Sequence, residues 1–575
     1  MPRRSSRRTL PAASRRDFLA ISAAVSAGYW IAPEVRAQDG KPATSANEEI
    51  RFGCIGIGGK GQSDSADAAR YGKVVAVADV DSNQLKRGEK AFEGTKTYSD
   101  FRVMIDEMAK EFDAVTVSTP DHTHTVAASM AMELGKHCFC QKPLTKSIAE
   151  ARFLGDLARS KKVATQMGNQ GTAAPSLRKA ATFIKGGGLG TVKEVHVWTN
   201  RPVWPQGGDR PAEAPVPPNL DWNSWLGPAP LRPYGVGYHP FSWRGFWDFG
   251  TGALGDMACH TFNMPFMALN LRDPASVQAY TSGHNKETYP KWSMIDFDFP
   301  KLGNREEVKV KWYDGGKLPD QALFAGFPGK KETDAEGKEV EQPFKPSNSG
   351  VLVVGDKDTL YAPGDYCQDG FKLKSGAETP EVTIVESPGH FEEWVNAIKG
   401  GPEAMSNFPN YAGPLTETIL LGNLAVWAAD APETMGKKIE WNPVKLIATN
   451  APEVDSIIRP KSRNWPRATA VAQTSPATGT QPQSVLAGAP AAVASENGAY
   501  YAESGVAGEV MAGESVAGES VVGEAMAGGS VAGGAVASGT PCGCDACTGR
   551  KTGNTSCKCP EPRRKLLFRR RKARH

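Results

Sequence analysis

The chain has 575 residues, enough for about three domains at roughly 100–200 residues each. Its 61 glycines and 42 prolines follow no Gly-every-third period, which excludes a collagen-like chain and points to biased segments within a foldable one. The formal charge of +4 arises at the ends: residues 1–37 hold seven arginines against Asp17 and Glu34, and the run 563–574 is basic with no acid, so the body between is mildly acidic and gives no reason to expect nucleic acid as a partner.

The longest uncharged apolar run, Phe18 to Ile31, is shorter than the roughly twenty residues that cross a bilayer, and no other stretch is long enough to span. It follows a basic region and precedes Val35-Arg36-Ala37, a small-x-small cleavage pattern, so residues 1–37 read as an export signal. Within them Ser14-Arg15-Arg16-Asp17-Phe18-Leu19 resembles the twin-arginine consensus S-R-R-x-F-L, which implies the twin-arginine export machinery as a partner and a periplasmic or cell-envelope destination. Residues 38–49 are a polar linker.

Residues 50–170 alternate short apolar strands with helical segments, as a doubly wound parallel sheet does. The first strand runs into Gly56-x-Gly58-Gly59-x-Gly61, where glycines permit a tight turn and let a pyrophosphate approach a helix N-terminus. Asp79 ends the second strand, 23 residues after Gly56, placed to accept the adenosine ribose hydroxyls and to repel a 2′-phosphate. The spacing therefore predicts NAD as cofactor, with NADP disfavoured. Helices are expected at 62–71, 84–92, 100–110 and 124–135, and strands at 74–78, 96–98, 114–118 and 138–140.

Residues 171–465 open with an expected helix over 171–185, stopped by Gly186-Gly187-Gly188. Period-two strands follow at 194–198, 292–297 and 307–312, with a short apolar one at 351–354. Between them, 201–254 carries Trp204, Trp222, Trp225, Trp243 and Trp247 among prolines and glycines, either as stacking surfaces for a polyol or as packing beneath a long insertion. Helices are expected at 390–399 and 415–431, and the ordered body ends near Pro466.

Residues 466–540 are low in complexity and include pentapeptide repeats from Gly508. A five-residue period matches neither strand nor helix, so this segment is read as disordered. The last piece, 541–575, gathers Cys542, Cys544, Cys547, Cys557 and Cys559 before a basic end; zinc, disulfides or free thiols all suit it. Arg563 to Arg574 suits contact with an anionic envelope surface.

Two loops and one helix carry the chemistry. Ser118-Thr119-Pro120-Asp121-His122-Thr123-His124 and Cys140-Gln141-Lys142-Pro143 each follow a strand of the first domain, at the edge where ligands bind. Asp256 and His260, spaced i,i+4 after Gly250-x-Gly252-x-x-Gly255, share a helix face. A lysine hydrogen-bonds a substrate hydroxyl, and an imidazole suits removal of its proton.

Over residues 50–465 these motifs resemble the Gfo/Idh/MocA oxidoreductases, the glucose-fructose oxidoreductase and inositol dehydrogenase-like enzymes. The resemblance implies a Rossmann domain followed by an α/β domain with an open, largely antiparallel sheet that often makes a homo-oligomer interface. Its E-K-P motif falls on Gln141-Lys142-Pro143, with Gln141 replacing the customary Glu, and its D-x-x-x-H pair on Asp256 and His260. It implies Lys142, His260 and Asp256 as catalytic, and Gly56, Gly58, Gly59, Gly61, Asp79, Ser118, Thr119, Pro120, His122 and Lys142 as cofactor-binding. Substrate contacts are expected from His124, Gln170, Trp247, Asp256 and His260, with no metal. The expected reaction is hydride transfer between a tightly bound nicotinamide and a sugar or cyclitol hydroxyl. The alternatives are an NAD-dependent glycoside hydrolase working by transient oxidation and elimination, and a non-catalytic exported carbohydrate-binding protein.

Overall fold

The computed structural model describes residues 49–333 and 338–465. The export signal at 1–37, nearly all of the linker, the repeats and the cysteine-rich basic tail lie outside the described residues.

The first layer is a six-stranded parallel sheet in the order β3-β2-β1-β4-β5-β6. Its strands are β1 Ile50–Ile55, β2 Gly72–Ala78, β3 Lys96–Tyr98, β4 Ala114–Val117, β5 His137–Cys140 and β6 Thr165–Met167. Helices α1 Lys60–Tyr71, α2 Ser82–Ala91, α3 Phe101–Met108, α4 His124–Glu133 and α5 Ile148–Lys161 connect them. The reversal of strand order between β1 and β4 leaves a crevice at the carboxyl ends, the usual ligand position of such sheets. Asp81 and Asp100 start α2 and α3 by accepting the backbone N–H two residues on, each at 2.8 Å, and Ser147 with Glu150 forms a capping box on α5.

The second layer is a nine-stranded sheet in the order β15-β14-β13-β7-β10-β9-β8-β16-β17. It contains β7 Val192–Trp198, β8 Ser276–Thr281, β9 Ser293–Phe299, β10 Val308–Tyr313, β13 Gly350–Gly355, β14 Thr359–Pro363, β15 Lys372–Leu373, β16 Ile439–Asn442 and β17 Ile447–Ala448. The strands β11 Lys330–Thr333 and β12 Glu339–Gln342 form a separate hairpin. Only β7 and β10 pair parallel in the large sheet, so it is largely antiparallel as expected. Its helices are α6 Pro175–Lys185, α7 Trp222–Leu226, α8 Gly252–Thr261, α9 Asn263–Leu269, α10 His390–Ile398, α11 Gly413–Trp427 and α12 Asp455–Ile458.

The expected helix over 171–185 is broken: a 3-10 turn Gln170–Ala173 precedes α6, which starts at Pro175, a residue suited to a first helical position. Helix α11 is apolar nearly all round and buried along almost its whole length, because it packs against α5 on one side and α8, β8 and β9 on the other. Two later segments return to the first layer. Helix α10 lays Phe391 and Trp394 against Phe52 and Phe139, with Phe52 to Trp394 ring centroids 5.9 Å apart. Residues 459–465 end with Trp465 against Phe101 and Arg102. The stretch 171–465 is thus continuous in sequence but not in space, since the first layer needs these apolar faces to cover its own sheet.

Candidate active site

The glycine loop is shaped by contacts that exclude side chains. Gly56 has φ +73° and Gly59 φ +53°; a Cβ on Gly61 would lie 1.9 Å from the Gly56 carbonyl oxygen. The loop, the ends of β2, β3 and β4, and an aromatic segment from the second layer enclose a cleft of about 300 Å³. Gly56, Gly58, Gly59, Asp79, Ser118, Thr119 and Pro120 all line it. Asp79 also holds the loop: its carboxylate accepts the Ile57 N–H at 2.9 Å, the Gly58 N–H at 3.2 Å and the Asp81 N–H at 2.9 Å. Loss of water at this half-buried lip pushes the Asp79 carboxyl up to about 6, against the lowering effect of those three donors. A tight glycine turn at a helix start, with a carboxylate at the end of β2, fits a dinucleotide.

Lys142, delivered by the loop after β5, is buried and donates from Nζ to Asp256 Oδ1 at 2.8 Å and to the Asp256 carbonyl at 3.1 Å. Asp256 and His260 stand one turn apart on α8, and the His260 ring meets Tyr366 at 4.6 Å between centroids. The lysine's carboxylate partner therefore comes from the second layer, not from the residue before it. Gln141 faces the opposite way: its Nε2 donates to Asp64 Oδ2 at 2.9 Å, the same oxygen that accepts the Ser118 hydroxyl at 2.6 Å, while Lys60 pairs with Asp64 Oδ1 at 2.8 Å. The amide thus fits a site whose negative charge is already supplied from α1.

Three residues expected to contact ligand are engaged in packing. His122 is buried beneath the aromatic insertion, with Nε2 2.7 Å from the Trp225 carbonyl, and burial pushes its pKa down to about 3. His124 is fully buried, with Nδ1 3.1 Å from the Pro143 carbonyl, so it braces the lysine loop. Trp247 stacks on Tyr289 at 3.7 Å and abuts Trp427 in the core. Nearness in sequence to a site loop does not fix which way a ring points. Gln170 is half-buried and opens the 3-10 turn that touches α8. The tryptophan-rich segment serves mainly as packing: Trp225, Tyr238, Trp243, Phe246 and Phe249 form one buried cluster, and Trp225 and Trp243 also wall the cleft.

Sequence reading missed three residues around Lys142, Asp256 and His260. Asp365, after β14, accepts the Thr199 hydroxyl at 3.1 Å; burial pushes its carboxyl up while Arg201, the hydroxyls of Ser349 and Thr199, and Lys142 pull it down. Tyr366 sits between His260 and Gly171. Arg244 lines the cleft with its guanidinium 4.2 Å from the Trp243 ring and Nε 3.8 Å from Asp256 Oδ1. None belongs to a local motif, and only the tertiary fold brings them to the group formed by Lys142, Asp256 and His260. Among the described residues, no group of three or more His, Cys, Asp or Glu side chains could hold a metal ion.

Residues 50–169 match a family profile described as an oxidoreductase family with an NAD-binding Rossmann fold, and residues 186–305 match the C-terminal alpha/beta domain of an oxidoreductase family. Levoglucosan dehydrogenase from Pseudarthrobacter phenanthrenivorans is 26% identical over 230 residues, covering 38% of this chain and 50% of that protein. The rhizopine catabolism protein MocA from Rhizobium meliloti is 32% identical over 143 residues, covering 25% of this chain and 44% of that protein. The chain spans about half the length of the curated relatives it matches. Among solved structures, the WlbA dehydrogenase from Bordetella pertussis, in complex with NADH and UDP-GlcNAcA, is 16% identical with a TM-score of 0.45, covering 67% of this chain and 97% of that one.

Proposed function

We infer, from a chain that carries the two-domain architecture of the Gfo/Idh/MocA oxidoreductases, that it transfers hydride between NAD and a hydroxyl-bearing carbon of a sugar or cyclitol. The observation that carries this reading is the Lys142–Asp256 pair at 2.8 Å, which joins the loop after β5 to the helix bearing His260. The names of the similar proteins support the substrate class, since they include dehydrogenases of levoglucosan, UDP-N-acetylglucosamine and inositol.

NAD, when bound, supplies the hydride acceptor. Gly56, Gly58 and Gly59 would cradle its pyrophosphate, and the Asp79 carboxylate favours an unphosphorylated ribose. Lys142 donates from Nζ to the substrate oxygen and stabilises the charge that develops there, while Asp256 fixes the direction of that donor. A ring nitrogen of His260 takes the hydroxyl proton. Asp365 and Thr199 offer an acceptor and a hydroxyl for neighbouring substrate hydroxyls. The Ser14–Leu19 motif supports export by the twin-arginine route, in which case the nucleotide is loaded before export and recycled in place.

The test begins with the full chain purified from an exporting cell, its nucleotide identified by absorbance and mass, and a screen of sugars, cyclitols and glycosides at 340 nm. With an active substrate in hand, Lys142→Ala should lower kcat/KM by about 100-fold or more, on the order of 3 kcal/mol, with NADH affinity retained. Unchanged turnover with nucleotide still bound would remove Lys142 from the reaction. Solvent deuterium entering next to the oxidised carbon would instead mark the eliminative hydrolase.

A further inference from the structure

We propose that the C-terminal strap, residues 459–465, is part of the cofactor site, and that Trp465 forms the wall against which the adenine of the dinucleotide packs. The proposal rests on the dinucleotide reading above and adds a residue that no motif in the sequence marks.

The sheet order sets out the cleft along its carboxyl edge. From the glycine loop at the end of β1, the lining passes to Ala78, Asp79 and Val80 at the end of β2 and on to Ser99, Asp100 and Phe101 after β3. A pyrophosphate over the glycine loop and a ribose at Asp79 put the base beyond Asp79, away from Lys142. Trp465 lines this end of the cleft together with Val80, Phe101 and Thr123.

Its placement is built from several sides. The Arg102 guanidinium lies 3.5 Å from the centroid of the indole ring and donates to the Trp465 carbonyl at 2.9 Å, while a chelate with Asp100 holds Arg102 in turn. Phe101 meets the indole edge-on at 5.9 Å. Upstream in the strap, Arg463 donates to Asn223 Oδ1 at 3.0 Å and to the Asn223 carbonyl at 2.8 Å, and the Pro228 carbonyl accepts its backbone N–H at 3.0 Å. The strap is therefore tied both to the aromatic insertion and to the start of α3. The indole is nearly buried and presents its remaining surface to the cleft, where a purine supplies a flat face to pack against it.

The experiment uses the full chain and titration calorimetry with three probes: NADH, ADP-ribose, and reduced nicotinamide mononucleotide, which lacks the adenosine half. Trp465→Ala should weaken NADH and ADP-ribose roughly tenfold and leave the mononucleotide unchanged. Trp465→Leu, which keeps apolar bulk against Phe101 without an aromatic plane, should show the same pattern and serves if the alanine variant does not fold. ADP-ribose binding within twofold of wild type in the folded variants would overturn the strap's role while leaving the dinucleotide site intact. Equal losses for all three probes would overturn it too, because the damage would then be general. A wild-type chain that binds neither NADH nor ADP-ribose would overturn both the strap and the dinucleotide reading beneath it.

Discussion

Gln141 stands where the E-K-P motif that this segment resembles has a glutamate, and its amide donates to a buried carboxylate, Asp64, at 2.9 Å. Gln141→Glu would set two carboxylates at that separation and raise the pKa of the introduced group above its unfolded value of about 4.3. A raised folded value means that stability falls as pH climbs from about 4 through it. The variant should melt with wild type near pH 4 and lag by about 1–3 kcal/mol at pH 7–8, read from chemical denaturation at each pH. A lag that does not grow with pH would show that Lys60 absorbs the added charge. Asp79 offers a second pH test, since its carboxyl is raised to about 6, chiefly by burial. Its contribution to folding is fully present below the unfolded value of about 3.9 and is lost as pH rises through 6. Binding is expected to run the other way, because the ionised form is the better acceptor for a ribose hydroxyl and repels a 2′-phosphate. NADH affinity should therefore fall as pH drops through about 6, with discrimination against NADPH narrowing, and Asp79→Asn should flatten both trends in calorimetry at pH 5, 6 and 7.5.

Helix α8 carries Asp256 and His260, and its first residues are clamped from two directions. The Thr251 hydroxyl donates to Asp121 Oδ2 at 2.6 Å, and Asn423 on α11 donates to the Thr251 carbonyl at 3.0 Å. Gly255 lies so close that a Cβ there would come within 2.2 Å of Thr251. The helix start is thus fixed to the loop after β4, which also lines the nucleotide cleft. Thr251→Val keeps the shape and removes the donor to a buried carboxylate, at about 1–3 kcal/mol of stability. Turnover should fall while NADH affinity holds, a split that steady-state kinetics and calorimetry resolve; parallel losses would place the effect in the nucleotide loop instead. This helix also shows what the sequence could and could not say. Its i,i+4 pair was legible because helical spacing is local, as were the glycine loop and Asp79. The partner of Lys142 was not, because it depends on how a helix more than a hundred residues away is docked. His124, His122 and Trp247 show the same limit: proximity along the chain places a residue near a loop, while the packing around it decides which way its ring faces. Asp365, Tyr366 and Trp465 lie in irregular segments with no periodicity, so nothing local marks them.

Across the molecule, the cleft is closed by elements from distant parts of the chain. Trp225 stacks on Trp222 at 4.7 Å and meets Phe249 at 4.8 Å and His122 at 4.9 Å, while Trp243 and Phe241 continue the roof and the strap seals its far end. A dinucleotide beneath this cover would leave only when aromatic contacts part, which predicts release slower than chemistry and a resident cofactor. The expected result is nucleotide that stays with the protein through desalting and exchanges with isotopically labelled NAD more slowly than substrate turns over. Under those conditions one equivalent of substrate per chain changes the absorbance at 340 nm once, and sustained turnover requires a second substrate that returns the hydride. Trp225→Ala opens the roof at its centre; truncation of a buried aromatic of this size costs about 3–5 kcal/mol, and exchange should quicken at least tenfold. A wild-type protein that loses its nucleotide on desalting as readily as the variant would show that the roof does not govern release, and that the enzyme draws NAD from solution on every cycle.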